Sequence, residues 1–303
     1  MPEEEKFRIE DIEKWKRAGR IGAEAREYGK SLMKEGAALA DIAEKIEAKV
    51  AQLGGTMAFP AQISRNYLAA HYCPDIEDKT ILENGDMTKL DLGVSIDGCI
   101  SDTACTVYLG DDTAMKNLVE ASLAALENVS KMMRDGIEIG KIGTEIQRTI
   151  TSMGFSPIRN LSGHGLGKFS IHCDPSIPNF ATTSKNLLSN QAIAIEPFAT
   201  TGTGIVVDSG TANVFSMPHK KPVRDAITRK VLAQIEEYNG LPFARRWLEK
   251  KFSRAEAAFA LRNLIKNDVL VEYPPLAEVS KGMVSQAEHT FLIIKDGVII
   301  TTL

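Results

Sequence analysis

Two separate stretches of this chain run through the same series of signals. KIEAKVAQLGGTMAFPAQISRNYLAAH, from Lys45 to His71, and EIQRTITSMGFSPIRNLSGHG, from Glu145 to Gly165, each read helix, glycine stop, Phe, Pro, Arg-Asn and then a histidine. An internal echo of this kind constrains the fold to two halves of similar build, with any cleft between them. On that reading His71 and His164 occupy related positions.

Each half opens with helices. Apolar residues recur at helical spacing from Ile9 to about Glu35, and again at Leu39, Ile42, Ile46, Val50 and Leu53 before Gly54-Gly55. In the second half a helix opens after Asp111-Asp112, and another carries Ile142, Ile146, Ile150 and Met153 before Gly154. Strands follow. KLDLGVSIDGCISDTACTVYLG alternates around Asp97-Gly98, a strong hairpin signal, and a strand pair is expected in QAIAIEPFATTGTGIVVDSG. Helices and strands in this order predict an α/β (α+β) domain. From about Phe215 to Glu272 the pattern changes to helix after helix, which marks an inserted block.

Residues 220 to 269 hold twelve Lys and Arg against six Asp and Glu, so the remaining chain holds 24 against 34. A solvated helical face is the plain reading of that block. The whole chain, 303 residues with a formal charge of −4, is too mildly charged to suggest a specific nucleic-acid partner. No apolar run reaches the ~18 residues of a membrane span. The opening MPEEEKFRIEDIEKWKRAG reads as acidic and helical, where a secretion signal is basic and then apolar, so a cytoplasmic protein is expected. Cys73, Cys99, Cys105 and Cys173 form no compact framework and are expected reduced.

The chemistry gathers on acidic residues in apolar settings. If Asp97 and Gly98 form the hairpin loop, Gly93 faces Asp102 and Asp91 lies on the same face, diagonal to it. Leu90, Leu92, Val94 and Ile96 then fill the opposite face. Two carboxylates so placed require solvent or cations. Glu196 ends the apolar run AIAIEPF, and Glu288 opens another in AEHTFLII. With His164 these make four carboxylates and one imidazole, an oxygen-rich set suited to Mn, Fe or Co, and numerous enough for two ions. SGHGLGK is no phosphate loop: only three residues separate Gly163 from Gly167, and Phe169 stands where Ser or Thr is required. Its glycines instead let backbone pass close beside a site mounting His164 and His172.

HYCP at His71, DLGVSIDGCISDTACT, GHGLGKFSIH, IEPFAT, YPPL at Tyr273 and EHT at Glu288 resemble, in order and across nearly the whole chain, the type 2 methionine aminopeptidases. The resemblance implies a pita-bread fold over residues 1–303, with pseudo-symmetric halves of antiparallel sheet covered by helices. It also implies a winged-helix-like inserted subdomain at 215–272. Asp91, Asp102, His164, Glu196 and Glu288 would hold two divalent ions (Co, Mn, Fe or Zn), with Asp102 and Glu288 bridging. The water they share would attack the first peptide bond of a nascent polypeptide with N-terminal methionine and a small second residue. Glu196 would take the water's proton, His71 and His172 would hydrogen-bond substrate, and Phe59, Ile171 and Tyr273 would line the methionine pocket. TANVFSM lacks a histidine that some members carry there. The resemblance further implies a monomer and a short form without the charged N-terminal extension, and the basic charge of the block, in a family that acts during translation, adds the expectation of a weak ribosome contact. A proline dipeptidase of the same fold and a non-catalytic relative are the alternatives.

Overall fold

The computed structural model describes residues 7–303; the acidic opening MPEEEK, read above as part of a helix, lies outside them. In the first half, α1 (Ile12–Leu32) and α2 (Leu39–Gln52) are followed by β1 (Thr56–Arg65), β2 (Leu68–Ala70), β3 (Met87–Ile96) and β4 (Cys99–Tyr108). Strands β1, β3 and β4 form one antiparallel sheet in that order. Leu39, Ile42, Ile46 and Val50 of α2 pack into one buried cluster with Leu90, Leu92, Val94 and Ile96 of β3. That is the burial of one helical stripe against one strand face, the main source of stability for such a layer. Gly54 ends α2 in the left-handed region, at φ 79°.

The hairpin has the register its sequence implies. Asp97 and Gly98 both take positive φ, 50° and 87°, as a two-residue turn of the twist-matched kind demands. Ile96 then pairs with Cys99, Gly93 with Asp102 and Asp91 with Ala104. Gly93 sits between the two carboxylates in sequence and register, and a Cβ there would run into the Phe59 ring. Close approach of β1 to β3 at this point therefore requires glycine.

The second half contains α3 (Thr113–Met132), α4 (Ile139–Ser152), β5 (Ser162–Gly167), β6 (Ser170–Pro178), β7 (Gln191–Ile195), β8 (Phe198–Thr200) and β9 (Val206–Asp208). Asp112 caps α3, its Oδ1 accepting from the Ala114 N–H at 2.7 Å. The block follows as β10 (Val214–Ser216), α5 (Ala226–Glu236), β11 (Phe243–Ala244), α6 (Arg245–Glu249), α7 (Arg254–Lys266) and β12 (Val271–Tyr273). The chain closes with β13 (Leu276–Glu278), β14 (Val284–Gln286), β15 (His289–Ile294) and β16 (Gly297–Ile300). Strands run β16-β15-β7-β5-β6 in the large sheet, and a bridge from Ala104 to Glu288 joins it to the first half's sheet. This is the pita-bread arrangement of two helix-covered antiparallel sheets.

Three expectations are corrected by the pairing. QAIAIEPFATTGTGIVVDSG is not a strand pair: β7 pairs with β5 and β15, β8 with β14, and β9 with β13. Pro197, two residues past β7, offers no N–H, so the chain leaves the sheet there. Where the first half has the Asp97-Gly98 turn, the second half has the whole stretch from Glu196 to Glu288. Nor do His71 and His164 sit at related positions. The echo is one of element order, because β1 joins the hairpin sheet before its Arg-Asn turn, whereas β5 joins after it. His71 consequently lies just beyond β2 and His164 within β5. Finally, the block is not helices alone: β11, β10 and β12 form a small sheet under them, around a core including Phe215, Val231, Phe243, Leu248 and Leu264.

Candidate metal centre and substrate cavity

A cavity of about 210 Å³ opens where the two sheets and the inserted block meet. Asp91, Asp102, His164, Glu196, Glu288, His71, His172, Phe59, Ile171 and Tyr273 all line it. Asp91 comes from β3, Asp102 from β4 and His164 from β5, while Glu196 lies one residue past β7 and Glu288 one residue before β15. Sequence-distant strands thus deliver their acidic residues to one point.

His164 Nε2 stands 3.6 Å from Asp102 Oδ2 and 3.9 Å from Glu196 Oε1. One ligand atom from each of Asp102, His164 and Glu288 can be chosen so that all lie within 4.8 Å of one another. These separations exceed a hydrogen bond. They suit donors sharing an ion, since atoms held about 2.0–2.2 Å from one metal lie roughly 3–4 Å apart. Asp91 Oδ1, Asp102 Oδ1 and Glu288 Oε2 are buried with no hydrogen-bond partner. Unpaired buried carboxylate oxygens are costly, so three in one cavity mark a place for cations.

The electrostatics agree. Burial pushes the carboxyls of Asp91, Asp102, Glu196 and Glu288 above the usual range, and for the last three mutual repulsion adds to it. Burial and the neighbouring His172 bring His164 down to about 3, so it is neutral. Its Nδ1 lies 3.2 Å from the Gly165 carbonyl, which can only accept. The proton therefore sits on Nδ1 and leaves the Nε2 lone pair for a ligand bond, the usual orienting device for metal-binding imidazoles. All residues present fit divalent cations.

Around this centre His172 stands edge-on to His164, ring centroids 4.6 Å apart, and Tyr273 lies against both His172 and His71. His71 has φ 65°, unusual for a side chain this large, and its N–H donates to Gln62 Oε1 at 2.9 Å. Burial and His172 lower its pKa to about 4. Phe59, Ile171, Phe198, Val214, Pro242 and Tyr273 supply the apolar walls. Val214 is the TANVFSM residue that reaches the cavity.

Gln286 and Gln62 are among the polar residues of the site that sequence reading missed. Gln286, 1% exposed, donates Nε2 to Asp91 Oδ2 at 3.2 Å and to Glu196 Oε2 at 3.4 Å. Its position two residues before Glu288 was the available signal, since extended chain returns to one face at every second residue. Gln62 pairs across β1 and β3 with Asp91, but only after bulges between Met57 and Gln62 that no local pattern announces.

A model of metallopeptidase family M24 matches residues 13–237. The chain belongs to that family. It is 43% identical to a methionine aminopeptidase of Pyrococcus horikoshii over 295 residues, covering 96% of this chain and 99% of the relative. It is 44% identical to a methionine aminopeptidase of Thermococcus onnurineus over 289 residues, covering 94% and 97%. Among solved structures, a Thermotoga maritima methionine aminopeptidase superposes with a TM-score of 0.72 at 24% identity, covering 98% of this chain and 99% of that one. Membership in M24 makes this chain a divalent-metal-binding peptidase. Cys73, Cys99, Cys105 and Cys173 form no disulfide, and among the described residues no helix is long and apolar enough to cross a membrane.

Proposed function

We propose that this M24 metallopeptidase removes the N-terminal methionine from newly made polypeptides whose second residue is small. The observation that carries this reading is the cavity itself, where two buried carboxylates, two half-buried ones and a neutral imidazole meet an aromatic and aliphatic wall. The close full-length relatives favour it over a proline dipeptidase.

Asp91, Asp102, His164, Glu196 and Glu288 would hold two divalent ions; Co, Mn, Fe and Zn all suit this ligand set. When bound, such ions supply Lewis acidity toward the carbonyl and an activated water. Glu196 would accept a proton from that water and deliver it to the leaving amine. His71 Nδ1 lies 3.3 Å from the Pro274 carbonyl, so Nδ1 carries the proton and Nε2 is an acceptor. That tautomer suits a hydrogen bond from the scissile N–H. His172 would donate to the developing oxyanion. Phe59, Ile171 and Tyr273 would hold the methionine side chain, whose flexible thioether packs well against rings.

The reading treats residues 1–303 as one catalytic domain carrying a winged-helix-like subdomain at 215–272. It takes the enzyme as a cytoplasmic monomer, with weak ribosome contact through the block. Some of that block's basic charge is already engaged within the molecule, since Arg246, Lys250 and Arg254 pair with Glu47, Glu44 and Glu77 of the first half. Hydrolysis of Met-Ala-Ser by the metal-loaded protein, compared with Xaa-Pro dipeptides, tests the activity. Preference for Xaa-Pro would overturn it.

A further inference from the structure

The inserted block docks on the first half around one partly buried carboxylate. Glu47 of α2 accepts, on Oε1, from the Ala61 N–H at 3.3 Å and from Arg246 Nη2, and on Oε2 from Trp247 Nε1 at 2.9 Å. Arg246 is 2% exposed and also gives Nη1 to Cys73 Sγ at 2.7 Å. Lys250 to Glu44 and Arg254 to Glu77 lie on the same seam, but both pairs are about half exposed or more and each contributes little. Glu47, 13% exposed, and Arg246, 2% exposed, make the least exposed ion pair of the seam.

Each side of this contact continues into a wall of the cavity. Ala61 belongs to the irregular stretch of β1 between Phe59 and Gln62, where pairing to β3 is interrupted, and both of those flanking residues line the cavity. Arg246 and Trp247 follow β11, whose Ala244 pairs with Val214; Val214 in turn pairs with Tyr273. Val214, Tyr273 and Pro242 line the same cavity from the inserted block's side.

We propose that Glu47 is a positioning residue that sets the width of the methionine side-chain pocket, by holding the Phe59 wall and the Val214–Tyr273 wall at a fixed separation. This rests on the methionine-removal reading given above. A buried ion pair is a poor source of net stability, because desolvation offsets its attraction, and a packed apolar pair would close the seam as firmly. A carboxylate with three fixed donors adds direction. Burial raises the Glu47 carboxyl while Arg246 and Trp247 hold it down, so its charge depends on those partners staying in place.

The test compares wild type, Glu47→Gln, Trp247→Phe and the double variant Glu47→Leu/Arg246→Met on Met-Ala-Ser, each metal-loaded and checked for thermal midpoint. Turnover by wild type decides the activity separately from the clamp. We expect Glu47→Gln and the double variant to raise KM about tenfold with kcat within about threefold of wild type, and to gain on Leu-Ala-Ser and Phe-Ala-Ser relative to the methionine peptide. Trp247→Phe, which loses only the indole N–H, raises KM by a smaller factor, and the double variant keeps its thermal midpoint. Wild-type KM and side-chain preference in folded Trp247→Phe and Glu47→Gln overturn the proposal. So does wild-type KM in the double variant, since shape without direction would then suffice.

Discussion

Gln286 reaches from β14 to donate to Asp91 Oδ2 at 3.2 Å, and the same nitrogen lies 3.4 Å from Glu196 Oε2. One amide thus fixes the orientation of two carboxylates that come from different halves of the molecule. Its own Oε1 is buried without a partner, so the residue is held there at a cost to the fold. Gln286→Met keeps the volume and loses both bonds. Titration of the protein with Mn²⁺ by calorimetry should show affinity weaker by about 10–100-fold, the usual effect of removing a partner that orients metal ligands. Unchanged affinity would show that the carboxylates hold their positions without it.

Removing divalent cations should destabilise the enzyme as well as silence it. Without them the carboxyls of Asp91, Asp102, Glu196 and Glu288 crowd one cavity and repel one another, and Asp91, Asp102 and Glu288 each keep a buried oxygen with no partner. Cations bind the folded centre and not the dispersed chain, so at about 100 times Kd they contribute about 2.7 kcal/mol. Calorimetric unfolding of chelated and reloaded protein measures this directly. The midpoint should rise on reloading, and much less in Glu288→Gln.

A different carboxylate sets the acid limit of stability. Glu278, 1% exposed, accepts from Thr203 N and Oγ1, Gly204 N, Ser280 N and Oγ, and Gly282 N at 2.6–3.2 Å. Burial alone would raise its pKa, but the bonds from Ser280, Gly282 and Thr203 outweigh that and hold it at about 2. A carboxyl lower in the folded state than in the unfolded one stabilises fully above its unfolded value and loses that stability as pH falls toward the folded value. The loss therefore runs from about 4.5 down to about 2, and amounts to about 3 kcal/mol. Glu278→Gln should lower the midpoint at pH 7 and flatten its decline below pH 4.5. A parallel decline in both proteins would place the acid sensitivity elsewhere.

What was legible in the chain follows the range of the forces involved. The Asp97-Gly98 turn sets its own register locally, so the shared face of Asp91 and Asp102 follows from counting outward along the two strands. Helix stripes and the Gly54 and Gly154 stops are equally local. The fate of AIAIEPF was not, because β7 finds its partner β15 only after the block has intervened, and nothing near Glu196 announces that. Gln62 and Glu47 were silent for a related reason. Each earns its place through bonds to residues distant in sequence or to a bulge, and a lone Gln or helical Glu looks like surface.

His71 offers the sharpest test of the chemistry. Its backbone is held at φ 65° by the bond to Gln62, and its ring by the Pro274 carbonyl and the edge-on Tyr273. Such restraint is expected where a side chain must meet a substrate in one orientation. It is not among the five cation-binding candidates, so His71→Ala should leave Mn²⁺ affinity and thermal midpoint close to wild type. Turnover of Met-Ala-Ser should fall about 100-fold or more, the scale of losing one positioned hydrogen-bond partner in a reacting site. Gln62→Leu, which frees the His71 backbone but keeps the ring, should lose less. Equal losses in both variants would mean that the loop's shape, and not the imidazole, carries the effect.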